Sequence, residues 1–162
     1  MTQTSINIRQ AEPEDAALIL ELVRELAVYE KAGHEVLADR QAIHDSLFQD
    51  NSTARALIAE LDGSAVAYAV YFYNYSTWLG RKGIYLEDVY VKPEFRQRGI
   101  GKALLRHVAG IAVQENCGRF EWAVLDWNTP AIEFYETLGA KPQNEWTVYR
   151  LSGDDLLRLA ES

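Results

Sequence analysis

The stretch IYLEDVYVKPEFRQRGIGKALL, residues 84 to 105, constrains the fold more than any other. Its first part, Ile84 to Val91, is rich in β-formers and apolar on both faces, which predicts a central strand. Its last part leads into a helix with Leu104, Leu105, Val108, Ile111 and Ala112 on one side. Between them, Arg96-x-x-Gly99-x-Gly101 joins strand to helix with two residues that lack side chains. A P-loop would need glycine at position 96 and Ser or Thr at 103, where Arg96 and Ala103 stand. A dinucleotide fingerprint would need glycine at 104, where Leu104 stands. What is left is a bend of exposed amides at a helix start, suited to an anion, or else a turn that merely begins a helix.

The elements around this unit are mixed. Ile6 and Ile8 alternate with polar neighbours, as in a half-buried strand. Pro13 and nearby acidic residues open a helix whose apolar face carries Leu18, Leu22, Leu26 and Tyr29 up to about Lys31, with Gly33 as its stop. A shorter helix is expected over about residues 41 to 48. ARALIAE and SAVAYAVYFYNY flank Asp62-Gly63, the signature of a tight hairpin. Beyond the glycine loop, RFEWAVLDW reads as a strand. Thr129 as cap and Pro130 at the first position open a helix that Gly139 ends. WTVYRL reads as a further strand and DDLLRLA as a short helix. No linker, repeat or low-complexity tract interrupts this order, so residues 1–162 are expected to form a single mixed α/β domain.

Composition narrows the partners. The formal net charge of −8 argues against nucleic acid, whose phosphates call for surplus Lys and Arg, and is compatible with a cationic small molecule. Cys117 stands alone, which excludes an intrachain disulfide and leaves no company for a structural zinc. The start MTQTSIN is polar and no apolar run has bilayer length, so a cytoplasmic protein without a membrane partner is expected. His34, His44 and His107 show no metal spacing and no mark of a catalytic base.

Four stretches together carry a family likeness. ELAVYEK (25–31), TWLGRKGIYLEDVYV (77–91), FRQRGIGKALL (95–105) and WNTPAIEFYETLGA (127–140) resemble the GNAT superfamily of N-acetyltransferases, and within it the diamine, or spermidine/spermine, acetyltransferase branch. The likeness covers nearly the whole chain. It implies the GNAT fold: a central, mostly antiparallel twisted sheet with splayed central strands, flanked by helices. It also implies acetyl-CoA as co-substrate, no metal and a homodimer. The activity implied is direct N-acetylation of a small cationic amine, a diamine or polyamine first. Rival readings are a thialysine, lysine-analogue or other amino-acid amine acetyltransferase, acetylation of protein amino groups, and a non-catalytic acyl-CoA binding module.

The chemistry sets what such a site must hold. A primary amine of pKa about 10.4 is neutral in roughly one molecule per thousand or fewer near pH 7, so the nitrogen must lose its proton and the departing thiolate must gain one. Glu87 and Asp88 are neighbours in the expected central strand. Adjacent strand side chains point to opposite faces unless a bulge intervenes, and by themselves the pair reads as one solvated and one ion-paired carboxylate. The resemblance makes Glu87 a substrate binder and water-mediated proton acceptor, with Asp88 as electrostatic support. Tyr135 shares a helix face with Ala131, Phe134 and Leu138, which by spacing is a packing face. The resemblance makes Tyr135 the general acid. It also implies that main-chain groups of Val89, Tyr90 and Val91 pair with the pantetheine arm. Arg96, Gln97, Arg98, Gly99, Ile100, Gly101 and Lys102 would hold the diphosphate, with Asn128 and Ala131 completing the cofactor wall. Tyr29 and Glu30 would bind the amine, Trp122 would line its channel, and Glu145 approximately matches a substrate-binding acid beyond Gly139.

Overall fold

The computed structural model describes residues 5–162. The polar start MTQTSIN therefore begins outside the described residues, at positions 1–4. The chain forms two compact units, one ending at Ala123 and one starting at Val124.

The first unit is a five-stranded sheet in the order β1 (Ile6–Gln10), β2 (Ala54–Leu61), β3 (Ser64–Ser76), β4 (Arg81–Val91) and β5 (Phe120–Trp122). All neighbours are antiparallel except β4 and β5, which are parallel. Asp62 and Gly63 close the β2–β3 hairpin with φ of 52° and 81°, the doubly left-handed geometry that a two-residue loop requires. Helices α1 (Ala16–Tyr29), α2 (Arg40–Phe48) and α3 (Ile100–Gln114) complete the unit. Ile19 and Leu22 of α1 pack with Ala56, Ile58, Tyr68 and Tyr90 in one buried cluster. Ile100, Leu104, Leu105 and Val108 are the buried stripe of α3. Each such aliphatic side chain contributes about 1.5–3 kcal/mol by leaving water.

Local signals explain the joins. Pro13 opens a 3-10 turn, Pro13–Asp15, before α1, where Glu12 and Asp15 cap each other reciprocally. Arg9 bonds Asp15 at 2.7 Å and Glu60 at 2.5 Å, tying β1, β2 and the start of α1. Helix α1 stops earlier than Gly33: Lys31 takes φ 63°, and Gly33 instead begins a short 3-10 turn. In β4, a Cβ on Gly83 would lie 2.6 Å from Asn74 Oδ1 and 3.0 Å from the Arg119 carbonyl, so only glycine fits between the flanking strands.

The second unit holds α4 (Thr129–Thr137) and α5 (Gly153–Glu161). The Asn128 side chain caps α4 by accepting from the Ala131 amide, so the cap is Asn128 and Thr129 is the first helical residue. Gly139, at φ 89°, follows the helix end. Two expected strands differ. RFEWAVLDW is extended in the sheet only over Phe120–Trp122, and no strand forms in WTVYRL among the described residues. Val148 and Tyr149 are exposed there, and the unit contains only helices, so its β-prone residues have no edge within the unit to pair with.

Candidate active site

The site starts from an irregularity in β4. Asp88 pairs with Val70 and Leu86 with Tyr71, which makes Glu87 the extra residue of a β-bulge. Such a bulge frees adjacent side chains from strict alternation, the condition under which Glu87 and Asp88 can serve one site. Glu30, the residue that follows α1, reports the result. Burial first, then the charges of Asp88 and Glu87, push its carboxyl above the usual glutamate range. The end of α1 and the bulge thus set Glu30, Glu87 and Asp88 within one electrostatic neighbourhood.

Beneath them lies Tyr68 of β3, which is fully buried. Its hydroxyl donates to Asp88 Oδ2 at 2.8 Å. Burial lifts the Asp88 carboxyl above its ordinary value, and this hydrogen bond offsets part of that rise. The Tyr68 phenol itself is driven well upward, by burial and then by the Asp88 charge, so it remains a proton donor. Nothing in SAVAYAV marks Tyr68 as functional; the pairing of Tyr68 with Tyr90, two residues beyond Asp88, is what brings it there.

Further along β4, the Tyr90 hydroxyl donates to Glu25 Oε1 at 3.4 Å. The Arg96 guanidinium lies 5.1 Å from the centre of the Tyr29 ring and 5.5 Å from that of Tyr90. Arg96 Nε donates to the Val91 carbonyl at 3.0 Å. Arg96 therefore rests against two tyrosines at the end of α1 and β4. An open cleft lined by Ala17, Glu21, Arg24, Glu25, Val28 and Tyr90 runs along α1. It includes neither Glu87 nor Asp88.

The glycine loop has the form of an anion nest. Gln97 and Gly99 are left-handed, at φ 65° and 80°. Alternating handedness turns successive N–H groups toward one side, and Gly99 is the cap of α3. The first helical bond runs from the Ala103 amide to the Gly99 carbonyl at 3.0 Å, so the amides of Ile100, Gly101 and Lys102 precede the helical ladder. A Cβ on Gly99 would meet nothing within 4 Å, and one on Gly101 only Val91 Cγ2 at 3.8 Å. Packing does not demand glycine at 101. Open space before a row of amides fits a diphosphate.

The sheet opens beside this loop. Pairing of β4 with β5 ends at Leu86–Trp122, whereas Val89, Tyr90 and Val91 continue to pair with β3. The other edge of Val89–Val91 lies beyond the β5 ladder, where an amide-bearing arm can add as a strand does. Trp122, half-buried in β5, stacks edge-on with Phe120 at 4.9 Å between ring centres. In the second unit, Asn128, Ala131 and Tyr135 share the α4 segment, and the Tyr135 ring sits 5.8 Å from that of Phe134. Glu145 is exposed in the segment after α4. Among the described residues no group of three or more His, Cys, Asp or Glu side chains is arranged to hold a metal ion, and no helix is long and apolar enough to cross a membrane.

Residues 19–140 match the acetyltransferase (GNAT) family. The chain belongs to the GNAT acetyltransferases. This GNAT chain is 41% identical to a thialysine N-epsilon-acetyltransferase of Sus scrofa, over 96% of its own length and 98% of the relative's. It is 30% identical to an L-ornithine N5-acetyltransferase of Arabidopsis thaliana, over 92% of its length and 85% of the relative's. Among solved structures, an integron cassette protein of Vibrio cholerae superposes with a TM-score of 0.83 at 26% identity, covering 99% of this chain and 100% of the other. The five-stranded sheet flanked by helices is accordingly the GNAT fold. The enzyme is an N-acetyltransferase, and acetyl-CoA is the family's co-substrate.

The carboxylate neighbourhood carries a stability cost. Asp88→Asn removes a charge that burial disfavours, and the amide oxygen still accepts from Tyr68. The variant is expected to be more stable than the wild type at pH 7 by about 1 kcal/mol, a modest figure because Asp88 is only partly buried. The folded-state value of Asp88 lies above the unfolded one, so the wild-type penalty is complete above the folded value and fades as pH falls through it. Urea unfolding at neutral and acidic pH checks this; a constant gap, or a less stable variant, contradicts it.

Proposed function

We propose that the enzyme transfers the acetyl group of acetyl-CoA to the side-chain amine of a small basic amino acid, of the thialysine or ornithine kind. The observation that carries this reading is the set of Glu30, Glu87 and Asp88 gathered by the β4 bulge, a site that favours a substrate cation. The motifs alone put diamines and polyamines first. The pig and Arabidopsis relatives, both named for amino-acid side-chain amines, support the amino acid instead.

In this reading Glu30 and Asp88 attract the ammonium group, with Tyr29 beside it. Glu87 takes the proton of the amine through water, which frees the nitrogen lone pair to form the new C–N bond at the thioester carbon. The C–S bond breaks, and Tyr135 gives its hydroxyl proton to the sulfur. Main-chain groups of Val89–Val91 align the pantetheine arm, the amides from Gln97 to Lys102 hold the diphosphate, and Asn128 and Ala131 close the cofactor wall. Trp122 and Glu145 line the approach of the amine.

The test is release of free CoA from acetyl-CoA with thialysine, ornithine, lysine, putrescine, spermidine, spermine and a lysine-bearing peptide. The expected result is the highest kcat/KM with thialysine or ornithine. A preference for a polyamine or the peptide, or no release with any amine, overturns the substrate assignment.

A further inference from the structure

The Tyr68–Asp88 pair joins the acidic neighbourhood to a fully buried donor. A carboxylate drawn out of water either recovers hydrogen bonds or takes up a proton. Asp88 sits half-buried, which discourages its charge, and that charge in turn pushes up the carboxyl of Glu30 at the end of α1. From β3, Tyr68 answers with its hydroxyl at 2.8 Å from Asp88 Oδ2. The ring of Tyr68 is held in the core by Ile19, Leu22, Ala56, Ile58 and Tyr90, so the direction of that hydroxyl is set by packing rather than chosen by solvent.

We propose that Tyr68 is a positioning residue for the amine site: through its hydroxyl it orients the Asp88 carboxylate and keeps it ionised, so that Asp88 offers a fixed negative charge to the incoming ammonium group. Burial raises the Asp88 carboxyl and the Tyr68 bond lowers it, which agrees in sign with that role. Tyr68 touches neither substrate nor co-substrate in this scheme; it acts only through Asp88. The inference rests on the proposed amine site.

Tyr68→Phe tests it, because Phe preserves the ring in the core and removes only the hydroxyl. The expected result is a rise in KM for the amine of about tenfold at pH 7, with little change in kcat or in acetyl-CoA affinity, since a hydrogen bond to a charged group is lost. The acid limb of kcat/KM moves to higher pH, as Asp88 now protonates more easily. In an Asp88→Asn background the same replacement adds nothing further, the mark of two residues acting as one unit. An unchanged KM and a superimposable pH profile overturn the proposal, and so do additive effects in the double variant. A wild type inactive toward every amine would instead count against the proposed function. The charge-setting role is then read directly, by carbon NMR titration of the Asp88 carboxyl: an upward shift in Tyr68→Phe supports it, and an unmoved titration sinks it.

Discussion

Replacing Tyr135 by Phe is expected to reduce turnover by at least about a hundredfold while leaving acetyl-CoA affinity within about twofold. The expulsion of a thiolate sets this size. As the C–S bond breaks, negative charge collects on sulfur, and a positioned hydroxyl supplies both a hydrogen bond during the transition and the proton afterwards. A phenol ionises near pH 10, so at neutral pH it holds its proton until the sulfur needs it. Helix α4 gives Tyr135 a defined place, since the helix is capped by Asn128 and the ring leans on Phe134. Phe keeps that packing, which separates loss of the hydroxyl from loss of structure. Isothermal titration gives the affinity, and single-turnover CoA release gives the chemical step. Unchanged kcat with the best amine would remove Tyr135 from the reaction and restore its helix face to ordinary packing.

The two carboxylates of β4 show where one-dimensional reading stops. The residues YLED announce a strand carrying two acids, and alternation sends them to opposite faces. Whether a bulge intervenes depends on how β3 registers against β4, on the pairing of Val70 and Tyr71 with Asp88 and Leu86. The same register makes Tyr68 relevant, although its surroundings are alanine and valine and resemble any core strand. Where a signal is local, it carries through: Asp62-Gly63 forms the left-handed hairpin turn its residues favour. Where two local signals compete, the outcome rests on small differences. Asn128 and Thr129 are both good caps, and the chain uses Asn128, placing Pro130 second in the helix where its missing N–H still costs nothing. At the carboxyl end, Trp146 to Leu151 have the residues of a strand but no strand within their unit to complete it. Propensity is a property of residues, whereas a ladder needs two edges.

The glycine loop yields the second large effect. Gly101→Val is expected to weaken acetyl-CoA binding by about two orders of magnitude while changing thermal stability little. Two glycines sit in this bend for different reasons. Gly99 needs its freedom for φ 80°, a conformation that costs a side-chain-bearing residue about 1–2 kcal/mol. Gly101 is in the first turn of α3, where any residue can stand, and an added Cβ there would meet only Val91 Cγ2 at an ordinary 3.8 Å. The free protein thus has room for a side chain that it does not carry. We read space of that kind, beside amides that precede the helical ladder, as room for a ligand that must come close. Valine would fill it and hold an oxyanion away from the amides of Ile100, Gly101 and Lys102. Loss of one or two hydrogen bonds to a charged group corresponds to about 3 kcal/mol, hence the hundredfold figure. Titration with acetyl-CoA, and with desulfo-CoA as a control that retains the diphosphate, should lose affinity in parallel. If both bind the Gly101→Val protein as they bind the wild type, the diphosphate lies elsewhere and the nest at the start of α3 is only a turn.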